Sequence, residues 1–266
     1  MSLVTGMHTV DAAVLSSAVG AHREVLPARP LGKHFARVWF HDFPRELRAA
    51  IRVVPDGCVD LLWVNGQLRI AGPDREAQVE VVHAGSAVVG LRFQPGAVEH
   101  WLSAPSDAFV DQRVPLEELW GSEARRLTDE LAQAESPNDV AVRLQAALAR
   151  RAAALGNPDP WAREVLRRVQ NHVTANGDLT RELCAGLGVS QRTLLRRTRA
   201  AFGYGPKFLH RVLRFQHLLG LLQAADPPPL ASLALGAGYA DQAHLSREAI
   251  GLSGLTPTAL LRQLTR

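Results

Sequence analysis

Residues 183–190, LCAGLGVS, recur fifty places later as residues 233–240, LALGAGYA, and after one inserted residue Gly203-Tyr204-Gly205-Pro206 recurs as Gly254-Leu255-Thr256-Pro257. Two copies of one unit therefore follow each other in the chain. Each copy reads as a short apolar helix, a glycine where the backbone turns with positive φ, a second helix of about ten residues, and a Gly-x-x-Pro stop. That order is the helix-turn-helix pattern, in which the N-terminal side chains of the second helix face the major groove.

The second helix of unit one starts after Ser190, a good N-cap, and runs Gln191 to Arg199. With Leu194 and Thr198 turned to the core, Gln191, Arg192, Leu195, Arg196 and Arg199 lie outward. Such a face supplies donors for base edges and phosphates, and an apolar group for a thymine methyl. Unit two offers Asp241 as cap, Leu245 inward, and Gln242, Ala243, Ser246 and His244 outward, a far less basic face. Between the units, Pro206 to Gln223 reads as one long helix, a rod of roughly 25 Å at 1.5 Å per residue. A rod of that length can hold two recognition helices about one turn of B-DNA apart. Asp226-Pro227-Pro228-Pro229 ends it.

Charge divides along the same line. Residues 161–266 hold fourteen Lys+Arg against six Asp+Glu, a balance of +8, and thirteen of the fourteen cations are arginine; residues 1–160 hold sixteen against twenty, a balance of −4. A compact basic domain favours a polyanion partner, because cations that neutralise phosphates release condensed counterions. The boundary falls in residues 152–161, AAALGNPDPW, which gives domains at 1–155 and 161–266 and a linker at 156–160.

The first half changes period. Residues 36–40, 50–54, 58–64, 67–71, 78–83 and 87–93 are short, β-branched or alternating, and separated by Pro, Gly, Asp and Asn, which predicts a small sandwich or barrel. Asn65-Gly66 predicts a two-residue hairpin turn. Helices are predicted over 97–103, 116–134 and 137–155, the last with Ser136 as its N-cap, and over 161–174, ending at Asn176-Gly177.

Residues 161–266 resemble the DNA-binding domain of the AraC/XylS family of bacterial transcription regulators. The resemblance rests on LCAGLGVSQRTLLRR, FGYGPKFLHRVLRF, LASLALGAGYADQAHLSR and GLTPTALLR, in the family's order. It implies base-reading roles for Arg192, Leu195 and Arg196 in unit one and for Gln242, Ala243 and Ser246 in unit two. Thr198 and Ala249 stand where the family usually carries an aromatic core residue, and His244 and Leu245 where Tyr or Phe is usual. More weakly, PDGCVDLL at 55–62 and RFQPG at 92–96 resemble the cupin-like barrel of some of these regulators. The implied fold class is α+β: a small N-terminal cupin-like β-barrel with appended helices, then an all-α domain of two helix-turn-helix units joined by a long helix. The implied partners are promoter DNA, a small-molecule effector, RNA polymerase and a second copy of the chain. Candidate effector contacts are Trp39, Trp63, Phe93 and Trp101 as apolar walls, with Asp56, Asp60, His83 and Arg92 as polar ones.

Other classes find less support. His83, His100 and Glu99 form no His-x-His pair for a metal-dependent barrel enzyme, and neither cysteine has metal-ligand spacing, so no metal or cofactor is expected. Carboxylates beside Cys58 would raise its pKa and make it a poor nucleophile. No Walker loop, GxGxxG after a strand, or Ser/His/Asp constellation is present. No apolar run reaches the roughly 18 residues of a spanning helix. The first twenty residues lack a basic n-region, so the expected location is the cytoplasm. The alternatives are an enzyme using the barrel and a constitutive regulator whose first half only dimerises.

Overall fold

The computed structural model describes residues 13–47, 50–175, 177–224 and 226–265. Asn176, half of the predicted helix end at Asn176-Gly177, lies outside them. The described chain opens with strands β1 (Val14–Leu15), β2 (Ala21–Val25), β3 (Phe35–Asp42), β4 (Ile51–Val53), β5 (Asp60–Val64), β6 (Gln67–Ala71), β7 (Gln78–Glu80) and β8 (Ala87–Phe93). After helix α1 (Val98–Leu102) comes the last strand, β9 (Arg113–Pro115). Six strands form one antiparallel sheet in the order β2-β3-β8-β5-β6-β9, and β1-β4-β7 form a second. The Asn65-Gly66 turn is present: both residues have positive φ, and Val64 pairs with Gln67.

Alternation along the strands gives the larger sheet two apolar faces. One carries Phe35, Val38, Phe40, Leu61, Ile70, Val89, Leu91 and Phe93, and is covered by helices. The other carries Leu62, Val64 and Val88, and packs with Phe43, just after β3, and with Ile51 of β4 in the smaller sheet. The covering helices are α1, α2 (Leu116–Trp120), α3 (Ser122–Ala132) and α4 (Pro137–Ala152), with Trp101, Leu116, Leu131, Leu144 and Leu148 inside. The helix predicted over 116–134 is thus two helices. Gly121 breaks it with φ 54° and ψ −128°, a conformation costly for any residue with a Cβ. Ser136 caps α4 as expected, accepting from Asp139 N at 3.2 Å.

The second half is helical throughout: α5 (Pro160–Asn171), α6 (Leu179–Leu187), α7 (Gln191–Phe202), α8 (Pro206–Leu222), α9 (Leu230–Gly236), α10 (Gln242–Ser253) and α11 (Pro257–Leu264). Its core centres on α8, whose Leu209, Val212, Phe215, Leu218 and Leu222 are fully buried. Leu194 and Phe202 from α7, Leu245 and Leu252 from α10, and Leu260 from α11 complete that core.

The core also takes in Leu15 of β1, from the far end of the chain, whose backbone N–H donates to Gln263 Oε1 at 2.7 Å. No described helix is long and apolar enough to cross a membrane.

Candidate nucleic-acid interface

The two repeated units fold alike. In each, a left-handed glycine joins the short helix to the long one: Gly188 at φ 65° and Gly238 at φ 82°. A Cβ on Gly238 would stand 2.3 Å from the carbonyl oxygen of Val173, so this turn admits no side chain. Each long helix then starts on a side-chain cap. Ser190 Oγ accepts from Thr193 N at 3.2 Å, and Asp241 Oδ1 from His244 N at 2.6 Å. The cap fixes the phase of the helix and therefore which residues face out.

On α7, Leu194 and Thr198 are buried, while Gln191, Arg192, Leu195, Arg196 and Arg199 are exposed, as the sequence pattern requires. Thr198 fits the apolar core because its hydroxyl donates to the Leu194 carbonyl at 2.7 Å, leaving no polar group unmet. On α10, Gln242 and Ala243 are exposed, Ser246 and His244 partly so, and Leu245 and Ala249 buried.

Carboxylates separate the arginines into two kinds. Arg167 and Arg168 pair with Glu164, Arg197 with Asp159, and Arg211 and Arg214 with Glu248. Arg192, Arg196 and Arg199 pair with no carboxylate among the described residues, and neither does Arg247 on α10. Arg247 is exposed and falls outside the contacts expected from sequence. The insertion that moves the repeat offset from 50 to 51 puts Arg247 under Arg196, so the register of the repeat already held that signal.

The unit-two helix is held against the rod by a buried cluster. Glu248 accepts from Arg211 at 2.7 Å and from Arg214 at 3.0 Å, and the Arg214 guanidinium lies 4.5 Å from the centre of the Tyr239 ring. Burial pushes the Tyr239 hydroxyl up to about 12. The Arg197 guanidinium lies 4.0 Å over the Trp161 ring, and its partner Asp159 caps α5 by accepting from Trp161 N at 2.9 Å. The last residues of the expected linker are thereby tied to the first reading helix.

The eight candidate effector residues do not converge on one cavity inside the sheets. Trp63, Phe93 and Trp101 belong to the helix-covered core, Trp101 being fully buried against Phe35 with ring centres 4.9 Å apart. Trp39, Asp60 and Arg92 lie on the opposite face, because residues one apart on a strand point opposite ways. His83 is exposed in the turn before β8. Arg92 donates to both oxygens of Asp60, at 3.2 and 3.1 Å, and to Asp56. Burial raises the Asp60 pKa against the pull of Arg92, with Asp56 adding to the rise. Burial alone would lower the Arg92 pKa, yet Asp56 and Asp60 outweigh it and hold it well above its ordinary value. Burial likewise pushes the Cys58 thiol well up; Arg92 opposes this, and Asp56 and Asp60 add to it, so the thiolate is scarce.

The two halves meet behind the reading helix. Ser106 Oγ donates to the Ala201 carbonyl at the end of α7 at 3.1 Å, Gln216 of α8 donates to the Pro55 carbonyl at 2.6 Å, and Arg52 donates to the Ser253 carbonyl at 3.1 Å. A cavity of about 160 Å³ lies in this seam, walled by Asp56, Gly57, Arg92 and Phe93 from the first half and by Ala201 and Leu213 from the second.

Residues 183–263 match the family model described as "Helix-turn-helix domain", and residues 23–115 match "Domain of unknown function (DUF6597)". No curated protein matches significantly. Among solved structures the chain is similar to apo ToxT K231A from Vibrio cholerae strain SCE256, at 12% identity and TM-score 0.48, covering 86% of this chain and 97% of that one. It is also similar to the C-terminal domain of AraT, a response regulator from Geobacillus stearothermophilus, at 22% identity and TM-score 0.37, covering 39% and 85%. A probable AraC family transcriptional regulator from Rhodopseudomonas palustris CGA009 follows, at 25% identity and TM-score 0.33, covering 39% and 99%. The helix-turn-helix match spans both capped helices, α7 and α10, and the rod between them, so residues 183–263 carry a helix-turn-helix domain, and residues 23–115 before it are similar to the DUF6597 model.

Proposed function

We propose that the chain is a sequence-specific transcription regulator whose helices α7 and α10 read adjacent major-groove segments of double-stranded DNA, and whose first half, residues 1–155, senses a small molecule. The observation that carries the DNA reading is the set of arginines without carboxylate partners. Among the described residues, carboxylates hold Arg167, Arg168, Arg197, Arg211 and Arg214, and Arg163, Arg181 and Arg262 are exposed without one on a helix each, whereas α7 alone gathers three such arginines, Arg192, Arg196 and Arg199, on one face, with Arg247 on its repeat. Unpaired cations on a rigid face suit phosphates and guanine edges. Unit one, with three of them on one helix face, anchors; unit two, with Gln242, Ala243, Ser246 and Arg247, adds reading with little charge. Binding of the full chain to duplex DNA should lose roughly 10³- to 10⁵-fold in affinity between 50 and 200 mM salt, as six to ten phosphate contacts require. An affinity indifferent to salt overturns the reading. The sensing half is supported by the grip of the Ser106 turn and the Pro55 loop on α7 and α8, which ties any movement in that half to the reading helix.

A further inference from the structure

We infer that the effector site is the seam between the two halves, and that it takes a small, uncharged ring alcohol of about the size of benzyl alcohol. The inference rests on the regulator reading above for its consequence, and on the cavity for its chemistry. The interior between the two sheets is occupied by the protein's own groups: Phe43, Ile51, Leu62, Val64 and Val88, with Arg113 bonded to Asp74 and Glu80 at one end and Arg92 to Asp60 at the other. The seam cavity measures about 160 Å³. A cavity of roughly 150 Å³ with apolar walls holds a benzene ring, and most of the walls here are apolar, Phe93, Leu213 and Ala201 among them.

The polar edge of the cavity sets the charge of the ligand. Asp56 and Arg92 line it, but Arg92 already faces two carboxylates, so it offers no uncompensated cation to an acid, and a ligand carboxylate would meet the charge of Asp56. An ammonium would lose its hydration among apolar walls for one carboxylate that Arg92 and the Cys58 N–H already engage. A hydroxyl fits better. It donates to a remaining lone pair of Asp56, and it can accept from Tyr204, whose buried Oη has no hydrogen-bond partner among the described residues. Tyr204 stands just behind the wall rather than in it: its Oη lies 3.2 Å from the point where a Cβ would sit on Gly57, which does line the cavity. A buried hydroxyl without a partner is uncommon and marks a place where a further group belongs.

The walls also explain how binding would be felt. Ala201 and Phe202 are the last turn of α7, the helix with the unpaired arginines, and Leu213 belongs to the rod that carries both units. A ligand touching both halves biases their relative placement, and the coupling to DNA is reciprocal.

The test is a thermal-shift and calorimetric series on the full chain with benzyl alcohol, toluene, benzoate and benzylammonium. Saturable binding of benzyl alcohol, with benzoate and benzylammonium at least tenfold weaker, is expected; equal or tighter benzoate binding overturns the ligand class. Ala201→Leu, which fills the cavity, should abolish the shift. If that variant does not fold, Leu213→Ala should instead move preference toward the larger 2-naphthol, and no change in preference counts against the site. Tyr204→Phe should bring the affinities for benzyl alcohol and toluene together; an unchanged ratio removes Tyr204 from the site. DNA binding measured in parallel separates the two readings. Salt-sensitive duplex binding with no response to any of the four probes rejects the seam site alone, and probe binding without duplex binding rejects the regulator reading alone.

Discussion

Arg192 and Arg196 sit in the first two turns of α7, where a helix entering a groove meets base edges, while Arg199 lies a turn further from the capped end. Replacing Arg192 or Arg196 by Ala should cost about 1–3 kcal/mol and relax preference at particular base pairs, whereas Arg199→Ala should weaken all sequences alike. Arg247→Ala should behave like Arg196→Ala at the other half of the site; titration against operator variants decides each case, and a uniform loss for Arg196→Ala removes its reading role. Histidines give a second expectation at this scale. Burial lowers the pKa values of His34, His41 and His210 below the ordinary 6.5, so the folded chain holds them neutral where the unfolded chain would protonate them. Below about pH 6.5 the unfolded state then binds more protons, and stability falls as pH drops through that window while staying flat above it. Asp60 and Asp74, raised mainly by burial, act oppositely at lower pH, because they take up protons in the fold first. Urea midpoints at pH 7.5 and 5.5 check the sign; a higher midpoint at 5.5 contradicts it. His210→Gln, which keeps a donor near the His172 carbonyl, should remove part of the slope.

Among the elements, the turn of unit two is the most exacting. Gly238→Ala puts a Cβ against the Val173 carbonyl at a φ of 82°, and should cost on the order of 1–3 kcal/mol or more, read as a lower urea midpoint with DNA affinity lost in step. What the sequence made legible also sorts by element. Strands β6 and β8 match their predicted bounds because they alternate between two apolar faces and end at turn residues. Strand β2, AHREV, was missed because it is an edge strand with every side chain exposed, so no apolar period marks it. β9 is only three residues and ends at Pro115. The reading helices were legible because cap, glycine and buried leucine recur in two copies. The lining of the seam cavity was legible in part: Asp56, Arg92 and Phe93 are among the expected polar and apolar contacts, whereas Ala201 and Leu213 come from a distant part of the chain that no local pattern of apolar and polar types brings to them. Arg247 was within reach as well, since the same offset of 51 that sets Gln242, Ala243 and Ser246 under Gln191, Arg192 and Leu195 sets Arg247 under Arg196.

For the molecule as a whole, the seam makes the two halves thermodynamic partners. Heating should give one transition, since Gln216, Ser106 and Arg52 bridge the halves and Tyr204, Leu209 and Val212 pack against Gly57. Gly57→Val, adding a side chain at φ 80° into that contact, should split the transition in two as seen by calorimetry; a single transition at unchanged temperature refutes the coupling. The position of β1 reaches further. Leu15 fills the core of the second half, and its N–H is bonded to Gln263, 248 residues on. During synthesis at about 5–20 residues per second, that strand waits roughly 10–50 s for the partner that completes its packing. The nascent chain therefore leaves the ribosome with Leu15 unpacked until the last helix emerges. A chain lacking β1 would carry a hole in the core of its second half, although α7 and α10 were intact.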